Sequence, residues 1–307
     1  MIVKPQDLSS ADRVVLLFDG DLLVYRAGFA AEKRVYTVGS ETFKNSKAAK
    51  SYCTRKGINE REIKSERLLE PLGNATSNVD RIINSTVEQV MTDFACAEDN
   101  VDVVVFLTGC GNKPNFREVV AHDYKANRDP AHKPTFYDEI REYLNRTWAT
   151  VFTEGAETDD YLGPAFADVA AHDPDCQPVI VSIDKDLLCV PGLHYHFIKK
   201  EYKLISEQEG DYNFFCQTLI GDTADNIRGI RGVGPAKAEK LLGRFSTDSP
   251  FMAKLCMIQY LKEYNEEWLD RWNANCHMLW IWREIPDTCP WVFESKTEAE
   301  GFMESVN

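Results

Sequence analysis

Acidic side chains stand at consistent places along this chain. Asp19 comes directly behind the apolar run Val14-Val15-Leu16-Leu17-Phe18. Glu157, Asp159 and Asp160 follow Thr150-Val151-Phe152-Thr153, and Asp184 and Asp186 follow Val179-Ile180-Val181-Ser182. Asp222 and Asp225 add two more from a later, glycine-rich stretch. One such Asp alone is explained as well by a helix N-cap. A cluster is different, because gathering carboxylates is electrostatically costly unless cations neutralise them. Oxygen donors without a matching His or Cys set favour Mg²⁺ or Mn²⁺ over zinc. Two such ions held ~4 Å apart suit in-line phosphodiester hydrolysis, activating water and stabilising the leaving oxygen. These residues predict metal-dependent phosphoryl transfer.

The apolar runs must position those carboxylates. The three already named, with Val103-Val104-Val105-Phe106-Leu107 and a fifth over Leu193–Ile198, read as strands buried on both faces of a parallel sheet. Ile83, Val87, Val90, Met91 and Phe94 recur on one face of a helix near 78–97. Thr135 and Asp138 predict a cap for a helix running to about Arg146. The alternation gives an α/β fold with a doubly wound, mostly parallel sheet through about residue 205. Loops at the carboxyl ends of such strands form the ligand crevice, which brings the sequence-distant acids to one edge. Residues 206–283 show no convincing strand and several helical stretches, among them Met252–Tyr264 and Trp268–Trp282. Trp268, Trp272, Trp280 and Trp282 are expected in the core of that helical part. The polar, basic segment 31–76 receives no assignment.

Two further segments carry chemistry. Gly221 to Ala238 contains closely spaced glycines that let backbone N–H groups approach a phosphate, followed by a helix bearing Lys237 and Lys240. This is the logic of a helix-hairpin-helix element gripping a duplex backbone without reading sequence. Phe116-Arg117 through Tyr124-Lys125-Ala126-Asn127-Arg128-Asp129 reads alone as a polar loop. Beside a metal site, Lys125 and Arg128 would contact the scissile phosphate and Tyr124 would stack on a base. His194 and His196 share one strand face, and a structural role is expected for both. No Walker loop or dinucleotide fingerprint is present.

Composition sets bounds. The 307 residues carry a formal net charge of −14, which discourages a generic nucleic-acid coat protein. Bases nevertheless concentrate over 226–244 and 31–66, so polyanion binding is expected at defined places. Nine cysteines without a CxxC pair argue against a zinc ribbon or a disulfide framework and predict reduced thiols in the cytoplasm. The polar start Met1–Arg13 and the lack of a ~20-residue apolar run predict neither export nor membrane insertion.

Taken in order, Phe18-Asp19-Gly20, Phe116-Arg117 with Tyr124-Lys125-Ala126-Asn127-Arg128, Glu157-Thr158-Asp159-Asp160, Ser182-Ile183-Asp184-Lys185-Asp186 and Gly221–Lys237 closely resemble the 5′-nuclease family. That family includes flap endonucleases, phage 5′→3′ exonucleases and the 5′-nuclease domain of bacterial DNA polymerase I. The 31–76 insertion looks most like the phage branch. The resemblance implies a PIN-like α/β nuclease domain over 1–205 with a helical arch, and a helical DNA-binding subdomain and tail over 206–307. It implies a structure-selective 5′→3′ exodeoxyribonuclease with flap endonuclease activity, acting in phage DNA replication or recombination and leaving 5′-phosphates. Asp19, Glu157, Asp159 and Asp160 would hold one Mg²⁺ or Mn²⁺ ion, and Asp184, Asp186, Asp222 and Asp225 the second. Lys125 and Arg128 would join these carboxylates in catalysis at the base of the arch. Arg117, Tyr124, Lys125, Arg128, Gly229, Gly232, Gly234, Lys237 and Lys240 would bind DNA, with a monovalent cation at the hairpin. Partners would be DNA with 5′ ends or flaps, and RNA primers, met by a monomer in the host-cell cytoplasm without a membrane. Gly109 stands where the family has an Asp, Asp21 where many relatives have Asn, and Thr158 where a small residue is usual. Either Asp21 supplies the missing carboxylate or one ion is held more weakly. The alternatives are a catalytically impaired DNA-junction binding protein and a PIN-like ribonuclease.

Overall fold

The computed structural model describes the chain apart from residues 1, 9, 10, 110–112, 129–131, 286 and 307. Cys110 and Gly111, just after Gly109, and Asp129 of the basic segment therefore lie outside the described residues. The elements run β1 (Ile2–Val3), β2 (Arg13–Asp19), α1 (Gly20–Ala30), β3 (Glu32–Val38), β4 (Glu41–Phe43), α2 (Ser46–Lys56), β5 (Lys64–Leu69) and α3 (Leu72–Phe94). Then come β6 (Val101–Thr108), α4 (Phe116–Val120), α5 (Tyr137–Thr147), β7 (Ala149–Thr153), α6 (Asp159–His172), β8 (Cys176–Val181), β9 (Gly192–His196) and β10 (Glu201–Ile205). The last third holds α7 (Glu207–Ile220), β11 (Gly221–Asp222), β12 (Ile227–Arg228), α8 (Pro235–Leu242), α9 (Ser249–Tyr264), α10 (Trp268–Leu279) and α11 (Lys296–Ser305).

The chain divides into two compact units. The first takes residues 1–22, 86–130 and 148–307, so 206–307 falls in it together with the α/β core, and residue 205 is no boundary between units. Its sheet has the order β1-β10-β9-β8-β2-β6-β7. The five strands from β9 to β7 are parallel, and β10 and β1 close one side antiparallel. Central β2 is buried along nearly its whole length, as a strand covered on both faces must be. Asp19 ends this central strand, Val181 ends its neighbour β8, and Thr153 ends β7 beyond β6, so the expected convergence at one sheet edge is found. The helical part packs around Phe214, Phe215, Met252, Tyr260, Trp268 and Trp272. Trp280 is also buried, and partly buried Trp282 stacks on Phe116 at 5.5 Å.

Two expectations change. The 206–283 region does contain strands, the two-residue ladder β11–β12, which ties Gly221 to Arg228 and Asp222 to Ile227. The unassigned 31–76 segment belongs to the second unit, residues 23–85 and 131–147. There β4-β3-β5 form a small antiparallel sheet, and α2 inserts Ala49 and Cys53 beside Val38 in a core of its own. All eight described cysteines are free thiols. Among the described residues no helix is long and apolar enough to cross a membrane.

Candidate active site

Each acidic residue owes its place to a local device. Asp19 closes β2, and its Oδ1 accepts from the backbone N–H of Leu22 at 3.2 Å, capping the first turn of α1. Its Oδ2 accepts from the Ser182 hydroxyl at 2.9 Å. Asp159 and Asp160 open α6, where the positive end of the helix dipole favours them. Behind β8 the Ser182 hydroxyl accepts from Asp184 N–H at 3.0 Å, and Asp184 Oδ1 accepts from Asp186 N–H at 2.9 Å. In the β11–β12 turn Asp222 Oδ1 accepts from Ala224 N–H at 2.7 Å, which fixes the corner that carries Asp225.

The acids fall into two kinds. Several are neutralised by cations of the chain itself. Lys125 contacts Glu157 and lies 3.6 Å from Asp225, which also pairs with Arg128. Lys185 lies 3.2 Å from Asp186 and 3.8 Å from Asp222. Asp160, fully buried, takes both ends of the Arg117 guanidinium at 2.5 and 2.7 Å. Asp19, Asp159 and Asp184 make no ion-pair contact among the described residues, although Lys185 acts on Asp184 from further off, and their charges act on one another. Burial pushes Asp19 up to about 7, aided by the charges of Asp21 and Asp184 and opposed by its two donors. Burial, then the charges of Asp19, Asp184 and Glu157, raise Asp159 well above the carboxylate range. Asp186 rises to about 6 through burial and Asp184, with Lys185 opposing.

A pocket of about 40 Å³, room for little more than one water, is lined by Glu157, Asp159, Asp186, Asp222 and Asp225 together with apolar Ile227 and Leu279. Among the described residues no three His, Cys, Asp or Glu side chains converge closely enough to hold one ion between them. The donor chemistry suits a hard cation all the same: oxygen only, partly desolvated, and with three mutually repelling carboxylates left unneutralised.

Three expected contacts take other roles. Arg117, expected on DNA, is 3% exposed. Besides Asp160 it donates to the carbonyls of Met278 (2.8 Å) and Trp280 (3.0 Å), so every face of its guanidinium is used inside the protein. Burial disfavours its charge, but Asp160 more than offsets that and raises its pKa. Asp160 is for the same reason a structural partner rather than an open ligand. Tyr124, expected to stack on a base, is buried at 7% exposure, with its hydroxyl 3.0 Å from both Glu157 and Asp225. One proton serves one of those contacts at a time.

Asp21 accepts from Thr108 N–H at 3.3 Å and from the Thr158 hydroxyl at 3.0 Å, which sets its carboxylate at the end of β6, next to Gly109. Thr158, the unusual residue between Glu157 and Asp159, is thus what links Asp21 to α6. Ser182, Lys185 and Gln217 have no role in the sequence reading. Gln217 donates to Asp186 at 2.5 Å from α7, and nothing in its sequence context marks that role. His194 donates through Nε2 to the Val190 carbonyl at 2.8 Å, and His196 Nδ1 accepts from Lys199 N–H at 3.2 Å, structural roles in both cases.

The glycine stretch is a tight turn between α7 and α8. Gly221 has φ +76°, and a Cβ there would meet Gly229 N at 2.3 Å, so neither glycine tolerates a side chain. Gly232 has φ +71°, and Lys237 folds back to donate to its carbonyl at 2.6 Å. Gly234 precedes Pro235, the first residue of α8, and Lys240 points to solvent on that helix.

Comparison with known proteins agrees with this architecture. Residues 14–214 match the family described as 5′-3′ exonuclease, N-terminal resolvase-like domain. The chain is 32% identical over 168 residues to a DNA polymerase I of Borreliella burgdorferi, a match covering 50% of this chain and 18% of that protein. It is 30% identical over 139 residues to an exonuclease of Escherichia phage T7, covering 43% and 45% respectively. The chain thus spans less than two thirds of the length of these relatives. A solved T5 protein co-crystallized with metal ions shares the fold, with a TM-score of 0.50 and 16% identity over 95% of this chain and 97% of that one. Since the matched span covers more than half the sequence and contains Asp19, the Glu157–Asp160 group and Asp184–Asp186, this chain belongs to the 5′-3′ exonuclease family.

Proposed function

We propose that the protein is a Mg²⁺-dependent, structure-selective 5′→3′ exodeoxyribonuclease with flap endonuclease activity. The observation that supports it best is the trio Asp19, Asp159 and Asp184, buried or half-buried at one sheet edge without an ion-pair contact among the described residues, bordered by Lys125 and Arg128. These carboxylates, with Glu157, Asp186, Asp222 and Asp225, would hold two divalent ions, which would supply an activated water and neutralise the leaving oxygen. Asp21, at the end of β6, supplies the carboxylate that Gly109 lacks. Ser182 and Gln217 hold Asp19 and Asp186 in place for that task. Lys125 and Arg128 hold Glu157 and Asp225 until other charges do so, and are then free to turn to the scissile phosphate, where charge develops. Tyr124 keeps Glu157 and Asp225 together by donating to one of them. A helical arch guiding the 5′ strand past Lys125 and Arg128 belongs to the same proposal.

The Gly229–Lys240 turn and helix, within a helical DNA-binding part over 206–307, grip the duplex backbone, with a monovalent cation at the turn. The substrates are DNA with 5′ ends or flaps, including RNA primers, processed by a monomer in phage replication within the host cytoplasm. A 5′-labelled flap and a labelled RNA strand, each with Mg²⁺ or with EDTA, test the reading. Metal-dependent release from the flap is expected. Binding without cleavage in Mg²⁺ would instead identify an impaired junction-binding protein, and cleavage confined to the RNA a ribonuclease.

A further inference from the structure

The second compact unit holds a pocket of about 190 Å³ lined by Phe29, Glu32, Arg34, Arg67 and His132. Arg34 on β3 and Arg67 on β5 are direct cross-strand partners, an arrangement in which like charges repel. One nearby carboxylate, Glu32, pairs with Arg67 and offsets part of this repulsion, and none pairs with Arg34 among the described residues. The Glu32 side chain is only 7% exposed, lies 3.7 Å from Arg67, and accepts from the Thr135 N–H. Arg67 also donates to the Lys133 carbonyl at 3.2 Å. Arg34 is exposed and has no acidic partner among the described residues. The acid is thus at the floor and guanidinium groups are at the mouth. Beside them Phe29 and His132 pack ring to ring at 5.4 Å, with Tyr25 backing Phe29 at 6.0 Å. Two forked donors next to an aromatic wall match a phosphate joined to a flat ring system. The volume equals that of about six waters, enough for a phosphate with its sugar and the edge of a base.

We propose that this pocket binds a nucleoside 5′-monophosphate unit, with the phosphate on Arg34 and Arg67 and the base against Phe29 and His132. The inference rests on the nuclease reading only in its choice of ligand: such a unit is both the 5′ end of a phosphorylated strand and the mononucleotide an exonuclease releases.

The test uses the full chain in EDTA, so that binding is read without turnover. Probes are a short oligothymidylate labelled at its 3′ end, with a 5′-phosphate or a 5′-hydroxyl, and unlabelled thymidine 5′-monophosphate as competitor. Wild type should prefer the phosphorylated strand. Arg34→Ala, at an exposed position that leaves the fold intact, should cut that affinity roughly tenfold, the value of one charge-assisted contact. It should also make the dependence of log K on log salt shallower by about 0.7. Phe29→Leu should weaken the mononucleotide while sparing inorganic phosphate. Displacement by the mononucleotide identifies the free product as a ligand, and resistance to it identifies the strand end. Equal affinity for the two strands, or an Arg34→Ala protein that binds like wild type, overturns the inference. Because no cleavage is measured, a flap-cleaving enzyme without this phosphate preference would refute the pocket alone, and an inactive protein with it would refute only the nuclease.

Discussion

Replacing Arg117 with Met should cripple stability rather than DNA binding. The guanidinium is 3% exposed and Asp160 fully buried, so the substitution leaves a carboxylate without its partner in the interior. Breaking a buried pair from one side costs about 3–5 kcal/mol. The carbonyls of Met278 and Trp280 lose their donors as well, at about 1 kcal/mol each. A loss of about 5–7 kcal/mol is comparable to the whole net stability of many domains, ~5–15 kcal/mol. The double variant Arg117→Met with Asp160→Leu removes both charges and leaves only the two carbonyls and the Glu157 N–H to compensate. It should recover about half of the loss, so the two substitutions should couple by several kcal/mol in a double-mutant cycle. Urea unfolding in EDTA reads these differences through the midpoint at constant slope. In parallel, duplex affinity of whatever protein remains folded should keep its salt dependence, since a buried arginine contacts no phosphate. An Arg117→Met protein as stable as wild type, with a salt slope shallower by about 0.9, would refute the reasoning and return Arg117 to the DNA surface.

Asp184→Asn should nearly abolish cleavage while duplex affinity holds or rises, because a carboxylate facing phosphate repels it; single-turnover rates and filter binding measure the two separately. Lys237→Ala with Lys240→Ala should do the reverse, weakening binding and flattening the salt slope by about 1.8 if both contact phosphates; an unchanged slope would remove the turn as the duplex grip. His194 is held near 4 by burial, below its unfolded value of 6.5, so the unfolded chain takes up a proton that the folded one refuses. Its contribution is therefore complete above pH 6.5 and falls away as pH drops toward 4, by about 3 kcal/mol. His194→Gln should flatten that part of the stability profile, and a profile identical to wild type would show that the ring is not buried uncharged.

What could be read from the chain in advance follows burial. The parallel strands were legible from their apolar runs, of which central β2 is the most fully covered, whereas edge strand β7 was expected to be buried on both faces and is largely exposed. β3 and β5 were not, since Glu32-Lys33-Arg34 and Lys64-Ser65-Glu66-Arg67 are largely exposed strands, buried only where α2 covers them. Position after a strand was enough to gather the carboxylates, for it depends only on chain direction. Their partners were another matter. Arg117 and Tyr124 sit in a polar, basic stretch that reads as surface, and only the three-dimensional packing puts them inside with Asp160 and Glu157. Asp21 was singled out by its type, yet the Thr158 hydroxyl that holds it is visible only in the fold.

The division of the acids also explains how a chain with a net charge of −14 can take a polyanion at its most acidic edge. Lys125, Arg128 and Lys185 already sit on that edge, committed to Glu157, Asp225, Asp186 and Asp222. Arg128 and Lys185 are 55% and 77% exposed, so their pairs exchange more readily than a sealed one, while Lys125 is more enclosed at 21%. The Arg117–Asp160 pair is sealed and is not exchanged. One set of cations therefore fixes the scaffold, while the other set lends charge to carboxylates and can transfer it to a phosphate once those carboxylates are neutralised by another cation. On this argument the order of events is forced by electrostatics. Phosphate arriving first meets acids that still occupy Lys125 and Arg128, whereas phosphate arriving after the acids are neutralised meets free donors. Divalent cation should then strengthen flap binding in wild type by more than it does in Lys125→Ala with Arg128→Ala, because only the first protein has those donors to release.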